Sequence, residues 1–80
     1  MSRLSERMNL ARTVLKELSR QPLSRTELEQ RTIRKAGTHA SFEGIFRYLI
    51  VHGYAEKSEP IHRASYRITD KGVKLLEAIE

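Results

Sequence analysis

The chain has 80 residues, 39% apolar and 31% charged, with fifteen Lys+Arg against ten Asp+Glu and a formal charge of +5. A domain of this size buries only about 60% of its unfolded surface, so its core is marginal and help from a second subunit is expected. The composition excludes a disordered chain. The absence of cysteine excludes disulfides, thiolate metal sites and cysteine nucleophiles, and the longest apolar run, Tyr48 to Val51, is far short of a membrane span of ~18 residues.

The cysteine-free composition fits an intracellular, cytoplasmic protein. The charged segment MSRLSERMNL has no apolar stretch of the kind a signal peptide carries. A single domain over 1–80 is expected.

The first helix is expected over 3–19. Leu4, Met8, Ala11, Leu15 and Leu18 form an apolar stripe widened by Val14, with Arg7, Arg12, Lys16 and Glu17 on the other side. Gln21-Pro22 stops it, because proline cannot donate the next helical bond. Pro22-Leu23 reads as a connector. The second helix starts at Ser24, where SRTE is a capping box with Glu27 three residues on. Leu28 is its apolar anchor and Leu23 a staple residue. It is expected to end near Arg31, leaving a long turn through Gly37 with Ile33 tucked into the core.

The third helix is expected over 38–52, with Thr38 as N-cap. Phe42, Ile45, Phe46, Leu49 and Ile50 form its apolar face, and His39, Ser41, Glu43, Arg47 and Tyr48 lie away from it. Gly53 is the expected left-handed residue after its end. Two short strands, 54–57 and 65–68, follow around the polar loop SEPIHRA and make a hairpin over 54–68. Thr69 caps a last helix over 69–80, with Val73, Leu76 and Ile79 in phase and Leu75 beside them. The fold class is therefore mainly α with a small β-hairpin.

The positive charge is unevenly spread. Between Gln30 and Phe42 there is no acid, but there are Arg31, Arg34 and Lys35; between Pro60 and Thr69 there is again none, but there are His62, Arg63 and Arg67. Such clusters point to a polyanionic partner, with nucleic acid ahead of membrane.

Catalysis is not expected. His39, His52 and His62 have no metal-binding spacing, and the glycines at 37, 44, 53 and 72 form no phosphate loop. Asp70, at a helix start, suits the helix dipole. No metal or cofactor is expected.

The element order, the pair Gly53-Tyr54 and the segment YRITDKG at 66–72 resemble a winged helix-turn-helix domain: a three-helix core, a two-stranded wing and a C-terminal helix. The similarity is to small archaeal and bacterial transcription regulators of the MarR and PadR kind. It covers the chain from about residue 10 onward; the expected turn between the second and third helices is longer than the common three or four residues. The resemblance implies double-stranded DNA as partner, with helix 38–52 in the major groove and loop 58–64 as the wing.

On this reading Arg47 contacts guanine or a phosphate, and Glu43 accepts from cytosine or pairs with Arg47 one turn on. His39 and Ser41 meet phosphates or base edges near the helix start, and Tyr48 lies beside them or covers the core edge. Arg31, Arg34 and Lys35 flank one DNA backbone, and His62 and Arg63 reach an adjacent groove. A homodimer through the two terminal helices, using Leu4, Met8, Leu75 and Ile79, is expected to read two half-sites. The alternative is a winged helix that docks protein, as a module of a replication or transcription assembly, through Tyr48 and the wing.

Overall fold

The computed structural model describes the backbone from Arg3 to Glu80, with side chains from Ser5 onward. Four helices and one hairpin follow in order: α1 (Arg3–Arg20), α2 (Arg25–Ala36), α3 (His39–Val51), β1 (Ala55–Lys57), β2 (Tyr66–Ile68) and α4 (Asp70–Ile79). None of the described helices is long and apolar enough to cross a membrane.

In α1, Leu10, Ala11, Val14, Leu15 and Leu18 are buried. Met8, expected in the stripe, is instead 41% exposed. Residues 5–9 are all exposed, and the first inward residue is Leu10, which lines a cavity with Ala36 of α2 and Ile45 of α3. The stripe is thus turned toward the helices that α1 meets, α2, α3 and α4, and its N-terminal turns overhang the core. Leu4 lies outside the described side chains.

After Pro22 the chain does more than connect. Leu23 is buried and bridges Tyr66: its N–H donates to Tyr66 O at 3.1 Å, and Tyr66 N–H donates back to Leu23 O at 2.7 Å. This bridge fixes the start of α2 beside β2. The expected capping box is present, with Glu27 N–H donating to Ser24 Oγ at 3.2 Å and Ser24 N–H donating to Glu27 Oε1 at 3.0 Å.

The second helix does not stop near Arg31 but runs on to Ala36. RTIRKA contains no breaker, and the hydroxyl of Thr32 donates to Leu28 O at 2.8 Å, so threonine enters the core without an orphaned polar group. Thr32 is fully buried, while Ile33, expected in the core, is only half-buried. Gly37, at φ 80°, ends the helix. The link to α3 is therefore Gly37 and Thr38 alone, shorter than expected.

Thr38 caps α3 by accepting from Ser41 N–H at 3.1 Å. Phe42, Ile45, Phe46 and Leu49 are buried, with Phe42 stacked on Phe46 and the Phe46 ring meeting Tyr66 edge-on at 4.9 Å. Gly53, at φ 77°, follows the helix as expected. The hairpin is antiparallel, with Ala55 opposite Ile68 and Lys57 opposite Tyr66.

Thr69 caps α4, accepting from Gly72 N–H at 3.0 Å while its own hydroxyl donates to Gly53 O at 2.7 Å. Leu76 and Gly72 are the buried residues of α4, and Val73, expected inward, is 38% exposed. Gly72, not Val73, faces the backbone of Tyr54, where a β-carbon would lie 2.1 Å from the Tyr54 carbonyl oxygen.

Candidate nucleic-acid interface

The side of α3 opposite its buried row carries Ala40, Gly44, Arg47, Tyr48 and Val51, all exposed. A β-carbon on Gly44 would find nothing within 4 Å. Its absence therefore serves no contact with α2, and it leaves the helix backbone open to close approach from outside. Arg47 has no carboxylate partner among the described residues and is held out from an already rigid helix.

Glu43 does not pair with Arg47. It is bound by Arg25 of α2 and lies 3.7 Å from His39 Nε2. His39 in turn bonds Glu29 of α2 through Nδ1. Arg25 and Glu29 sit four residues apart, on the side of α2 that meets α3, so a chain of polar contacts Arg25–Glu43–His39–Glu29 laces the two helices together. This network occupies His39 and Glu43, leaves Arg47 without a carboxylate partner among the described residues, and sets the Arg25 guanidinium against the Glu43 carboxylate. Ser41 bonds Thr38, its Oγ lying 3.0 Å from Thr38 Oγ1, and lines a cavity of about 430 Å³ with Arg7, Leu10, Lys35 and Ile45 on the α1 side.

The basic run of α2 divides. Arg31 lies 3.6 Å from Glu17 of α1, a carboxylate that also has Arg20 at 4.0 Å. Lys35 lines cavities against α1, beside Arg7 and Arg12. Arg34 is exposed and without a partner among the described residues. Arg31 and Lys35 are thus turned toward α1, whereas Arg25 and Glu29 are turned toward α3. Residues 31–35 do not form one flank beside the outward side of α3.

The hairpin loop does come close to a helix start. His62 and Arg63 line a cavity of about 420 Å³ together with Ser24, Arg25, Thr26 and Tyr66, and no carboxylate lines it. Arg63 has φ 67°, a left-handed conformation uncommon outside glycine, and makes no ion pair among the described residues. Arg67 is paired across the hairpin with Glu56 at 3.4 Å. Arg25, absent from the residues singled out in the sequence, is the joint between loop and α3, since it lines this cavity and also holds Glu43. The available signal was its spacing of four from Glu29.

Comparison with protein-family models, with curated proteins and with solved structures finds no match to this chain. Function is therefore argued from the geometry alone. Among the described residues no group of three His, Cys, Asp or Glu side chains is arranged to hold a metal ion. The arrangement offers a helix with an open backbone, unpaired cations on that helix and on the loop, and carboxylates tied to Arg25, His39 and Arg67. That surface suits an extended anion.

Proposed function

We propose that this chain is a winged helix-turn-helix domain that binds double-stranded DNA, with or without strong base preference, and acts as a transcriptional regulator. Helix α3 enters the major groove, which at ~12 Å accepts a helix about 10–12 Å across, and loop 58–64 serves as the wing. The observation that carries the reading is the outward side of α3, where Gly44 leaves the backbone open and Arg47 stands unpaired while Glu43 is held by Arg25.

On this reading Arg47 is the base or phosphate contact of α3, and Arg63 and His62 contact phosphates from the wing. His39 and Glu43 act as a laced support more than as readers, and Arg25 joins the residues that face DNA. The pairing of Glu43 with Arg25 and of Glu56 with Arg67 favours DNA over a protein-docking role, since of Glu43, Glu56 and Glu59 only Glu59 has no ion-pair partner among the described residues. A homodimer through α1 and α4 completes the proposal, supported by the overhanging start of α1 and by exposed Met8 and Val73.

The test is titration of duplex DNA at several salt concentrations. Log K is expected to fall linearly with log salt, with about −0.9 of slope per phosphate neutralised. A flat response, or no binding at low salt, refutes the proposal.

A further inference from the structure

Three rings gather where α3 ends. Tyr48 and His52 have centroids 4.4 Å apart, and Tyr54 stacks on both, 6.2 Å from Tyr48 and 6.4 Å from His52. Lys71 of α4 closes the group, with Nζ 4.8 Å over the Tyr54 ring and donating to His52 O at 2.7 Å. Tyr54 is half-buried against the core, which anchors the cluster. Tyr48 is 43% exposed, and Val51 beside it 70%. A ring packed on one side and exposed to that degree keeps its other side open.

Two cations adjoin the rings. Lys71 contacts a carbonyl and a ring but no carboxylate, and Arg47, next to Tyr48, has no partner among the described residues. Neither cation is neutralised by an acid. An open aromatic face with unneutralised cations beside it matches a nucleotide whose base is free to stack and whose phosphate needs a counter-charge. A duplex hides its base faces, so the Tyr48 end of the outward side of α3 offers an unpaired base a contact that duplex binding leaves unused.

We propose that the cluster of Tyr48, His52 and Tyr54 is a stacking platform for an unpaired base of a single-stranded nucleic acid, with Lys71 and Arg47 taking the neighbouring phosphates. The proposal does not rest on duplex binding.

The experiment titrates the full chain with oligo(dT) roughly 12 nucleotides long, within the ~4–16 nucleotides usual for such sites. An abasic strand of equal charge and a duplex are titrated in parallel. The chain has no tryptophan and three tyrosines, so tyrosine emission reports directly on stacking. Oligo(dT) is expected to quench this emission and to bind at least tenfold more tightly than the abasic strand. Tyr48→Ala is expected to weaken oligo(dT) about tenfold while leaving the abasic strand unchanged, and Tyr48→Phe to keep wild-type affinity. Tyr48→Lys, which removes the ring and adds a charge, guards against misfolding of the alanine variant and is also expected to weaken oligo(dT). Equal affinity for oligo(dT) and the abasic strand, tighter oligo(dT) binding by Tyr48→Lys, or no oligo(dT) binding at low salt overturns the platform. The duplex arm bears only on the DNA-regulator proposal.

Discussion

Replacing Gly72 by alanine tests how α4 is seated. A β-carbon at this position would lie 2.1 Å from the carbonyl oxygen of Tyr54 and 2.7 Å from Ile68 Cγ1. Ordinary carbon–oxygen approach is about 3.3–3.6 Å, so the backbones must separate by more than ~1 Å. The Tyr54 carbonyl cannot simply turn aside. It accepts from Thr69 N–H at 3.1 Å, and Thr69 is itself fastened to Gly53 O. Overpacking of this kind costs about 1–3 kcal/mol, and losing the Thr69 hydrogen bond adds about 1. Alanine returns up to ~1 kcal/mol in helix propensity. The net expectation for Gly72→Ala is a loss of roughly 1–4 kcal/mol, out of the roughly 4–12 kcal/mol available to a chain of 80 residues at ~0.05–0.15 kcal/mol each. The melting temperature should fall by at least roughly 4 °C, at about 4–8 °C per kcal/mol. Urea unfolding followed by circular dichroism measures this directly, with an unchanged m-value marking a two-state comparison. A variant within ~0.5 kcal/mol of wild type, inside the usual range for surface substitutions, would show that α4 does not pack on Tyr54 as described.

The opposite outcome is expected at Gly44, where the new methyl enters open space. Gly44→Ala should gain roughly 0.5–1 kcal/mol in a thermal melt and lose duplex affinity, whereas unchanged affinity would remove any role for close approach there. Arg47→Ala and Arg63→Ala should each reduce the salt slope of duplex binding by about 0.9, and Arg31→Ala, whose guanidinium faces Glu17, should leave it unchanged. The Glu27 carboxylate sits below its usual pKa of 4.5, first because it accepts from Ser24 N–H and next because of the Ser24 hydroxyl. Its contribution to stability is therefore complete above about pH 4.5 and lost as pH falls through the lowered folded value; Glu27→Gln should flatten that stretch of a urea-midpoint profile against pH. Met8→Glu with Val73→Glu should convert a dimer to monomer in sedimentation velocity, and an unchanged sedimentation coefficient would remove the terminal helices as the contact.

What was legible in the sequence is what local rules decide. The buried row of α3, the Ser24 box, the Thr38 and Thr69 caps and the turn at Gly53 are each set within about one helical turn. The YRITDKG segment was recognisable as a pattern, and the structure supplies its reason: Thr69 ties the helix start to Gly53, and Gly72 alone lets α4 approach Tyr54. The failures are of another kind. Leu23 was read as connector because its strand partner, Tyr66, is distant in sequence. Met8 was placed inside and Leu10 was not, because the rotation of α1 depends on which helices it meets. Ile33 is expected in the core on apolarity, but the buried residue is Thr32, whose hydroxyl is satisfied on Leu28 O and leaves no orphaned donor.

The candidate site shows the same division with more at stake. A run of cations in the sequence measures charge, whereas an anionic ligand responds to charge left over after internal pairing. Glu43 had an obvious local partner in Arg47, worth about 0.2–0.5 kcal/mol as an exposed helical pair. Arg25 displaces it, because α2 runs alongside and brings a guanidinium to a half-buried carboxylate that also faces His39. That non-local substitution frees Arg47. Glu17 does the converse to Arg31, drawing it toward α1. The clusters at 31–35 and 62–67 therefore shrink to Arg34, Lys35, His62 and Arg63 once ion pairs are removed. Of these only His62 and Arg63 adjoin Arg25, and through it the flank of α3. Reversing the sign of Arg25 consequently does more than delete one cation, since it also releases Glu43 beside Arg47. Arg25→Glu should weaken duplex binding more than Arg31→Glu does, although both change the net charge equally. Equal losses for the two variants would mean that total charge governs binding and the pairing pattern does not.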